Sequence, residues 1–361
     1  MIDRDPWAEA FAESARLNVR PQRVSDVPGF PIVMNPQVQA FLDRFTGSRR
    51  EVVTLWLSRS GHYLGMIREV LQDHGLPEDL AFVAMIESGY NPLAVSRAGA
   101  KGLWQFMAGT ARGYGLRVDQ WVDERLDPHK STVAAAAYLR DLYRQYGSWS
   151  LAQAAYNAGE GAVTRAVRRL GTSDFWTLAR SAMLRRETKD FVPQIHAATV
   201  IGRDPGRYGF ELQDHSPTDV DIVSVPPSTN LKSLATAAGV SSEMLKGLNP
   251  ALVRGVTPPG ARYDLRVPFG TRDGVVAALA RPGAPVMARR VPGDLATAAN
   301  GVHVVQPRDT ISGIAKAYGV KIDDLLRWNR LTRQDRIRPG DRLHVADLHA
   351  SADGARGAAV R

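Results

Sequence analysis

An internal repeat constrains this chain more than any other feature of its sequence. Asn249 and Pro259-Gly260 recur as Asn329 and Pro339-Gly340, at a constant offset of 80 residues and without a gap. In each copy a short apolar segment precedes two stretches in which apolar residues have helical spacing. Chance does not readily hold one register over such a span. The sequence therefore predicts two copies of a small strand–helix–helix–strand (βααβ) unit.

The chain before the repeat has a different pattern. Apolar residues recur every three or four positions from about residue 37 to 205, with glycine and proline between the stretches, which is typical of a helical domain. The predicted fold class is α+β, a mainly α-helical domain followed by two βααβ modules. The predicted boundaries are an irregular lead-in at 1–35, the helical domain at 36–212, a first module at 220–269, a flexible linker rich in Ala, Gly and Pro at 270–300, a second module at 301–347 and a disordered tail at 348–361.

Composition narrows the classes of function. The chain has 361 residues, a formal net charge of +9 and no cysteine, which excludes disulfides, thiolate catalysis and cysteine zinc sites. The histidines are scattered without metal-ligand spacing, so we predict no metal and no cofactor. The positive charge favours an acidic polymer as partner, either nucleic acid or a cell-wall glycan that carries peptide carboxylates. No recognition-helix or RNA-platform motif supports nucleic acid.

Targeting signals are not evident. No stretch approaches the roughly 20 apolar residues that a membrane-spanning helix needs. The first five residues, Met1-Ile2-Asp3-Arg4-Asp5, lack the basic and then apolar pattern of a signal peptide. We therefore expect either a cytoplasmic protein or one whose export signal, together with any lipid-anchoring cysteine, is not part of this sequence.

Residues 76–90 place a carboxyl group on an apolar helix face. Pro77 suits a first helical turn, and helical spacing puts Val83 and Glu87 on one face with other apolar residues. Gly89 is expected to end the helix, so that the carboxyl opens towards a cleft. Desolvation raises the pKa of such a carboxyl, and glycosidic cleavage needs a group that donates a proton and then accepts one. The helix alone also fits a structural glutamate paired with an arginine.

Two further segments favour carbohydrate as the ligand. One places a glutamine between aromatic residues, Gly102-Leu103-Trp104-Gln105-Phe106-Met107. Sugars are bound by aromatic faces and by amides that hydrogen-bond their hydroxyl and acetamido groups. The other ends a helix at a glycine, Ala155-Tyr156-Asn157-Ala158-Gly159. Each segment alone is also typical of ordinary packing, and only the two together with Glu87 favour a carbohydrate site.

Four ordered segments resemble one known family. Glu87-Ser88, the segments at 102–107 and 155–159, and Glu187-Thr188-Lys189-Asp190-Phe191-Val192-Pro193 have the order and spacing of the family-23 soluble lytic transglycosylase (SLT) domain. The likeness is to the membrane-bound lytic murein transglycosylase D type with C-terminal LysM repeats. It implies a lysozyme-like fold that cleaves the β-1,4 bond between N-acetylmuramic acid (MurNAc) and N-acetylglucosamine (GlcNAc) without water, leaving 1,6-anhydroMurNAc ends.

The resemblance also implies residue roles. Glu87 matches the single general acid/base, which protonates the glycosidic oxygen and then deprotonates the muramic 6-hydroxyl. The acetamido group of the substrate is expected to stabilise the intermediate, so no partner carboxylate is required. Phe191 stands where the family usually carries tyrosine, so a hydroxyl expected near the catalytic carboxyl is lost. The residues that match the substrate-binding set are Ser96, Gln105, Tyr156, Asn157 and Phe191.

The second repeat resembles a LysM module. Such modules bind runs of GlcNAc in a groove between the first strand–helix loop and the last helix–strand loop. The expected glycan-binding residues are Asp309, Thr310, Ile311, Ile337 and Pro339. The first repeat carries Ser228-Thr229-Asn230 in place of the Asp-Thr pair. It resembles a degenerate LysM module, for which a structural role and sugar binding both stay open.

Two alternatives accompany this interpretation. A hydrolytic muramidase needs a second carboxylate about 5–10 Å from the acid, and Asp119, Asp123 and Glu124 are available in a polar loop. We interpret these three as solvated or structural. A non-catalytic peptidoglycan-binding scaffold is supported only by Phe191. The expected partner is peptidoglycan rather than nucleic acid, and a monomer is expected in the periplasm or at the periplasmic face of the outer membrane.

Overall fold

The computed structural model describes residues 30–211, 219–281 and, within 302–345, all but 306–308, 319, 333–334 and 336. Residues 1–29 of the predicted lead-in, residues 282–300 of the predicted linker and the predicted tail at 348–361 lie outside the described residues. The chain divides into two compact units, Met1–Pro285 and Val286–Arg361. The first unit therefore contains both the helical domain and the first module.

Short helices separated by tight turns form the helical domain. Asp127 and Ser148 cap two of the longer helices by accepting backbone N–H groups, from Lys130 and Leu151. The helices are α1 (Pro36–Thr46), α2 (Arg50–Ser60), α3 (Leu64–Asp73), α4 (Ala81–Ser88), α5 (Ala108–Gly113), α6 (Pro128–Tyr146), α7 (Trp149–Ala158), α8 (Glu160–Leu170), α9 (Phe175–Arg180) and α10 (Arg186–Arg203), with 3₁₀ turns at Glu78–Leu80, Glu124–Leu126 and Gly206–Tyr208.

Helix α4 lies at the centre of the core. Its residues 81–85 are all buried, and it packs against α3 and α10. Helix α7 also packs against α10, and in addition against α6 and α8. Side chains at the ends of α4 and α7 therefore belong to elements that the core holds in place.

The first module has one more helix than the sequence predicts. Strand β1 (Val220–Val225) pairs antiparallel with β2 (Tyr263–Pro268), and α11 (Leu231–Ala238) and α12 (Ser242–Leu248) connect them. After β2, α13 (Arg272–Ala280) packs on α11 through a buried stripe that includes Val275 and Ala278. The predicted linker at 270–300 is wrong over α13, because the Ala- and Gly-rich composition that indicated a tether also supplies this small apolar face.

The second module has the same plan. Strand β3 (Val302–Val304) pairs antiparallel with β4 (Arg342–His344), and α14 (Ile311–Tyr318) and α15 (Ile322–Trp328) lie between them in sequence. One asparagine joins helix to strand in each module. Nδ2 of Asn249 donates to the carbonyl oxygens of Leu245 and Arg266, and Nδ2 of Asn329 donates to those of Leu325 and His344. The predicted α+β class, a helical domain followed by βααβ modules, is confirmed.

Candidate active site

Glu87 lies in the last turn of α4, close to the glycine that ends the helix. Gly89 has a left-handed backbone, with φ 58°, and an added Cβ would overlap the indole ring of Trp56. Glycine is therefore required there both for its conformation and for the close approach of Trp56. The predicted helix end at Gly89 is confirmed.

The surroundings of Glu87 favour its neutral form. The residue is partly buried. Burial, and after it the negative charge of Glu187, raise the pKa of the Glu87 carboxyl to about 8. None of the ion pairs formed by the described residues includes Glu87. Among the described residues, Glu87 is therefore not a structural glutamate paired with an arginine. With its raised pKa, it holds its proton at neutral pH.

Tyr156, in the last turns of α7, lies within the electrostatic reach of Glu87. Burial, followed by the charge of Glu87, raises the pKa of the Tyr156 phenol far above its usual value. Its hydroxyl donates to the carbonyl oxygen of Trp104 at 2.7 Å, and its ring packs against Tyr138 with centroids 5.2 Å apart. Tyr156 is therefore neutral, and it ties α7 to the segment that contains Gln105.

Asn157 is oriented by a residue that the sequence analysis did not single out. The Thr188 hydroxyl, on α10, donates to Oδ1 of Asn157 at 2.8 Å. A cavity of about 450 Å³ opens beside this pair, lined by Gly159, Arg165, Arg185 and Thr188 among others. The cavity adjoins the Asn157 end of the site and does not reach Glu87. It contributes open space and two arginines near Asn157.

In the segment at 187–193 the sequence predicts Phe191 as a substrate-binding residue, but the structure brings other residues of the segment to the site. Phe191 is 4% exposed and belongs to the hydrophobic core, so little of its ring is open to a ligand. Glu187 is exposed in the first turn of α10, and its charge acts on Glu87. The sequence shows that this segment contains a carboxylate, Glu187. The effect of Glu187 on the pKa of Glu87 depends on the packing of α10 against α4, which the sequence does not show.

Ser96 and Gln105 lie on one loop, residues 94–106. Nε2 of Gln105 donates to the carbonyl oxygens of Ala94 at 3.2 Å and Gly102 at 2.9 Å. Oγ of Ser96 accepts from the backbone N–H of Ala100 at 3.0 Å. Gln105 has a φ of 49°, which is uncommon for a residue with a side chain. The loop is thus held by its own side chains.

The three carboxylates weighed as second catalytic groups have structural partners. Oδ1 of Asp119 accepts from two backbone N–H groups of its own turn, and Glu124 accepts from the backbone N–H of Arg117. Asp123 is 3% exposed and pairs with Arg125 at 2.8 Å. Burial alone would raise the pKa of Asp123, but its basic partners lower it below the usual value. These three carboxylates therefore have structural roles.

The second module has a groove where the sequence predicts one. The groove has a volume of about 550 Å³, and Asp309, Thr310, Ile311 and Ile337 are among the residues that line it. Pro339 is exposed and is not among them. Nε2 of the buried His303 lies 2.8 Å from a carboxylate oxygen of Asp309, which fixes that side chain at the groove.

Comparison with known proteins identifies three domains. The Transglycosylase SLT domain matches residues 66–179, the LysM-like domain of lytic transglycosylase MltD matches 219–284, and the LysM domain matches 303–346. The membrane-bound lytic murein transglycosylase D of Escherichia coli (strain K12) is 33% identical over 296 residues. That alignment covers 80% of this chain, and the chain spans 64% of the length of the relative.

Shorter similarities extend to soluble relatives. The soluble lytic murein transglycosylase of Escherichia coli (strain K12) is 32% identical over 107 residues, covering 28% of this chain and 17% of that protein. The crystal structure of the 70 kDa soluble lytic transglycosylase of Escherichia coli covers 43% of this chain and 26% of that chain, at 26% identity and a TM-score of 0.36. Among the residues that the structure describes, no helix has both the length and the apolar character needed to cross a membrane.

The resemblance predicted from the sequence is confirmed: this chain joins a transglycosylase SLT domain to an MltD-type LysM-like domain and a LysM domain.

Proposed function

We propose that this protein is a peptidoglycan lytic transglycosylase, which cleaves the β-1,4 MurNAc–GlcNAc bond without water and leaves 1,6-anhydroMurNAc ends. The observation that carries the proposal is the Glu87 carboxyl, whose pKa burial and Glu187 raise to about 8. A carboxylic acid that is neutral near pH 7 can protonate a leaving oxygen. The match to the Transglycosylase SLT domain supports the same class of reaction.

In the proposed reaction one proton leaves Glu87 and one returns to it. Glu87 first protonates the glycosidic oxygen as the bond from that oxygen to the anomeric carbon breaks. The acetamido oxygen of the substrate stabilises the positive charge that develops at the anomeric carbon. The Glu87 carboxylate then takes the proton from the muramic 6-hydroxyl while the oxygen of that group attacks the anomeric carbon. The ring closes, no water is consumed, and the enzyme regains its starting state.

Groups around Glu87 suit the binding of a glycan strand. Tyr156 is neutral beside the acid, and Thr188 fixes the amide of Asn157. Ser96 and Gln105 lie together on loop 94–106, and we assign them hydrogen bonds to sugar hydroxyl and acetamido groups. The cavity beside Asn157 is lined by two arginines and by Glu160, and the guanidinium groups suit the carboxylates of stem peptides. We assign Phe191 to packing beneath the site.

The second module is proposed to hold the enzyme on its polymer. Its groove, lined by Asp309, Thr310, Ile311 and Ile337, combines apolar walls with a few polar groups, which suits the faces and edges of GlcNAc rings. A module that binds glycan raises the local concentration of the catalytic domain at its substrate. We accordingly place the protein in the cell envelope, where peptidoglycan lies; the relative with 33% identity is named as membrane-bound.

One observation favours a second candidate, a hydrolytic muramidase. Glu187 is an exposed carboxylate close enough to raise the pKa of Glu87. A hydrolase needs a second carboxylate to activate water or to attack the sugar. Glu187 is therefore the residue that would take this role, rather than Asp119, Asp123 or Glu124.

Mass spectrometry of digested murein distinguishes the candidates. Purified murein is treated with wild type, Glu87→Gln and, as a matched control, Glu69→Gln, which changes an exposed glutamate of α3. We expect wild type and Glu69→Gln to release fragments with anhydro ends, which are lighter than hydrolysed ends by one water. Glu87→Gln should bind murein and release nothing.

Two other outcomes would contradict the proposal. Hydrolysed ends from wild type, lost in Glu187→Gln, would identify a muramidase. Equal murein binding by wild type and Glu87→Gln, with no fragments from either protein, would identify a non-catalytic scaffold.

A further inference from the structure

We propose that the first LysM-like module, residues 219–281, is a brace for the substrate loop 94–106 rather than a glycan-binding module, and that Arg266 is its main positioning residue. This inference rests on the proposed function, since it takes Ser96 and Gln105 of that loop to bind the glycan. Two independent observations carry it. The groove of this module is closed, and a continuous series of contacts leads from the module to the loop.

Three residues at groove positions are fully buried in the first module. With the offset of 80 residues, Thr229 and Thr257 correspond to Asp309 and Ile337, which line the groove of the second module. Both threonines are 0% exposed, as is Leu231, the counterpart of Ile311. No surface of these side chains remains for a sugar to contact.

Hydrogen bonds between the two loops close the groove. The backbone N–H of Thr257 donates to the carbonyl oxygen of Thr229 at 2.9 Å, and that of Leu231 donates to Gly255 at 2.9 Å. The hydroxyls of Thr229 and Thr257 both donate to the carbonyl oxygen of Pro226, at 2.7 and 2.9 Å. A glycan would have to break these bonds, whose polar groups are already satisfied.

The same module is docked on the helical domain. The backbone N–H of Asp123 donates to the carbonyl oxygen of Ala251 at 2.9 Å, and that of Val253 donates to Trp121 at 3.2 Å. Val122, between these two residues of the helical domain, is fully buried in the core of the module. Residues 121–123 are therefore packed into the module, with Val122 in its hydrophobic core.

Arg266, on β2, secures the docked module. Its Nη1 lies 2.6 Å from Oδ2 of Asp127 and its Nη2 lies 3.3 Å from Oδ1, a bidentate pair. Asp127 is 3% exposed and also caps α6, accepting from the backbone N–H of Lys130 at 2.9 Å. Without the guanidinium, a buried carboxylate would lose the cation that compensates its charge. The segment at 121–127 is thus held at both of its ends.

From this segment, charged side chains lead to the substrate loop. Asp123 binds Arg125 through both carboxylate oxygens, at 2.9 and 2.8 Å, and Lys101 at 3.0 Å. Nη1 of Arg125 then donates to the carbonyl oxygens of Gly99 at 2.9 Å and Phe106 at 3.1 Å. One arginine therefore holds the loop at Gly99, in its middle, and at Phe106, its last residue, and the partner of this arginine, Asp123, is bonded to the module.

The backbone of the loop needs such support. Gln105 has a φ of 49°, and residues with side chains keep a conformation of this kind only where their surroundings impose it. Release of the segment at 121–127 should let the loop relax and move Gln105 away from its position for binding. Glu87 is on α4, whose residues 81–85 are buried in the core, so the acid itself should move less than Gln105.

Hydrogen–deuterium exchange of the full chain, followed by mass spectrometry, tests the brace. The variants are Arg266→Met, the conservative Arg266→Lys, and Arg262→Met as matched control, because Arg262 bonds to Ser224 within the module. We expect Arg266→Met to speed amide exchange in the 99–106 segment by on the order of tenfold. Arg266→Lys should restore part of the protection, and Arg262→Met should match wild type.

Unchanged exchange at 99–106 in a folded Arg266→Met protein would overturn the brace. If Arg266→Met fails to fold, Arg254→Gln is the second variant, since the guanidinium of Arg254 lies 4.8 Å from the ring centroid of Trp121. It should speed exchange in the same segment, and wild-type exchange there would equally overturn the proposal.

A GlcNAc tetramer tests the closed groove in the same experiment. It should slow exchange at 309–318 and leave 228–231 and 255–258 as they are. Protection of these last two segments by the tetramer would overturn the claim that the first groove is closed.

Kinetics separate a positioning role from a merely structural one. On murein, Arg266→Met is expected to raise KM by on the order of tenfold and to change kcat less, with partial rescue by Arg266→Lys. A fall in the apparent kcat in proportion to the unfolded fraction, with KM unchanged, would indicate an effect on stability alone. If wild type does not cleave murein, the proposed function fails, whereas the exchange measurements still decide the brace.

Discussion

Replacement of Glu87 by glutamine is expected to make the protein more stable at neutral pH. Folding moves the pKa of this carboxyl from 4.5 to about 8, through burial first and the charge of Glu187 second. The folded protein therefore holds the proton at pH 7, whereas the unfolded chain releases it. Ionisation of the unfolded chain thus favours unfolding at every pH above 4.5. Glutamine has nearly the same shape and no ionisation, so it removes this cost.

The size of the effect follows from the two pKa values. One pKa unit corresponds to about 1.4 kcal/mol, so the cost of Glu87 in the free energy of unfolding reaches about 3 kcal/mol at pH 7 and about 5 kcal/mol from pH 8 upwards. Glu87 keeps some contact with solvent, which reduces these values, and we expect a gain of about 1–3 kcal/mol for Glu87→Gln at pH 7. A group whose pKa is raised by folding costs nothing well below its unfolded pKa, so the gain should fall to less than about 0.5 kcal/mol at pH 4.5.

Urea unfolding at a series of pH values from 4.5 to 8 measures this gain. Wild type, Glu87→Gln and the exposed control Glu69→Gln are compared at each pH, and the control should follow wild type throughout. The reasoning is refuted if Glu87→Gln is less stable than wild type at pH 7. It is equally refuted if the difference between them does not change with pH.

Three other perturbations have defined outcomes. Glu187→Gln removes the second cause of the raised Glu87 pKa, so the alkaline limb of the pH profile of kcat/KM should move to lower pH; an unmoved limb would contradict this electrostatic coupling. Gly102→Ala places a Cβ on the backbone carbonyl of Arg125, at a φ of 82°. It should lower thermal stability more than Gly99→Ala, whose Cβ faces open space and which costs only backbone strain of about 1–3 kcal/mol. Equal losses of stability would contradict the close approach at Gly102. Burial lowers the pKa of His196 from 6.5 to about 4, so between these pH values the unfolded chain binds a proton that the folded protein does not. The free energy of unfolding should therefore fall by up to about 3 kcal/mol as the pH drops from 6.5 towards 4. His196→Gln should lack this pH dependence.

Local signals in the sequence predicted the centre of the site. Helical spacing puts Glu87 on an apolar face, and a glycine two residues later ends the helix, because both follow from a few neighbouring residues. The repeat was detectable because Asn249 and Asn329 make the same helix-to-strand hydrogen bonds in the two modules. Few other side chains could make these bonds, so the two asparagines mark the register of the repeat.

Contacts between distant segments were not predictable in this way. Arg266 and Asp127 are 139 residues apart, and each alone has the appearance of an ordinary charged residue. The electrostatic effect of Glu187 on Glu87 likewise depends on the packing of α10 against α4. The sequence of helix α13 predicts a linker, because alanine and glycine are typical both of a flexible tether and of a small packed helix face. In each case the deciding term is tertiary packing, which has no local signature.

Direct titration of Glu87 tests the central claim. The side-chain carboxyl is followed by carbon-13 NMR in protein with labelled glutamate, and its signal is assigned by its absence in Glu87→Gln. We expect a midpoint near pH 8, so that the group is a neutral acid when it meets the glycosidic oxygen. A midpoint near 4.5, the value of a free carboxyl, would contradict the proposed acid/base role.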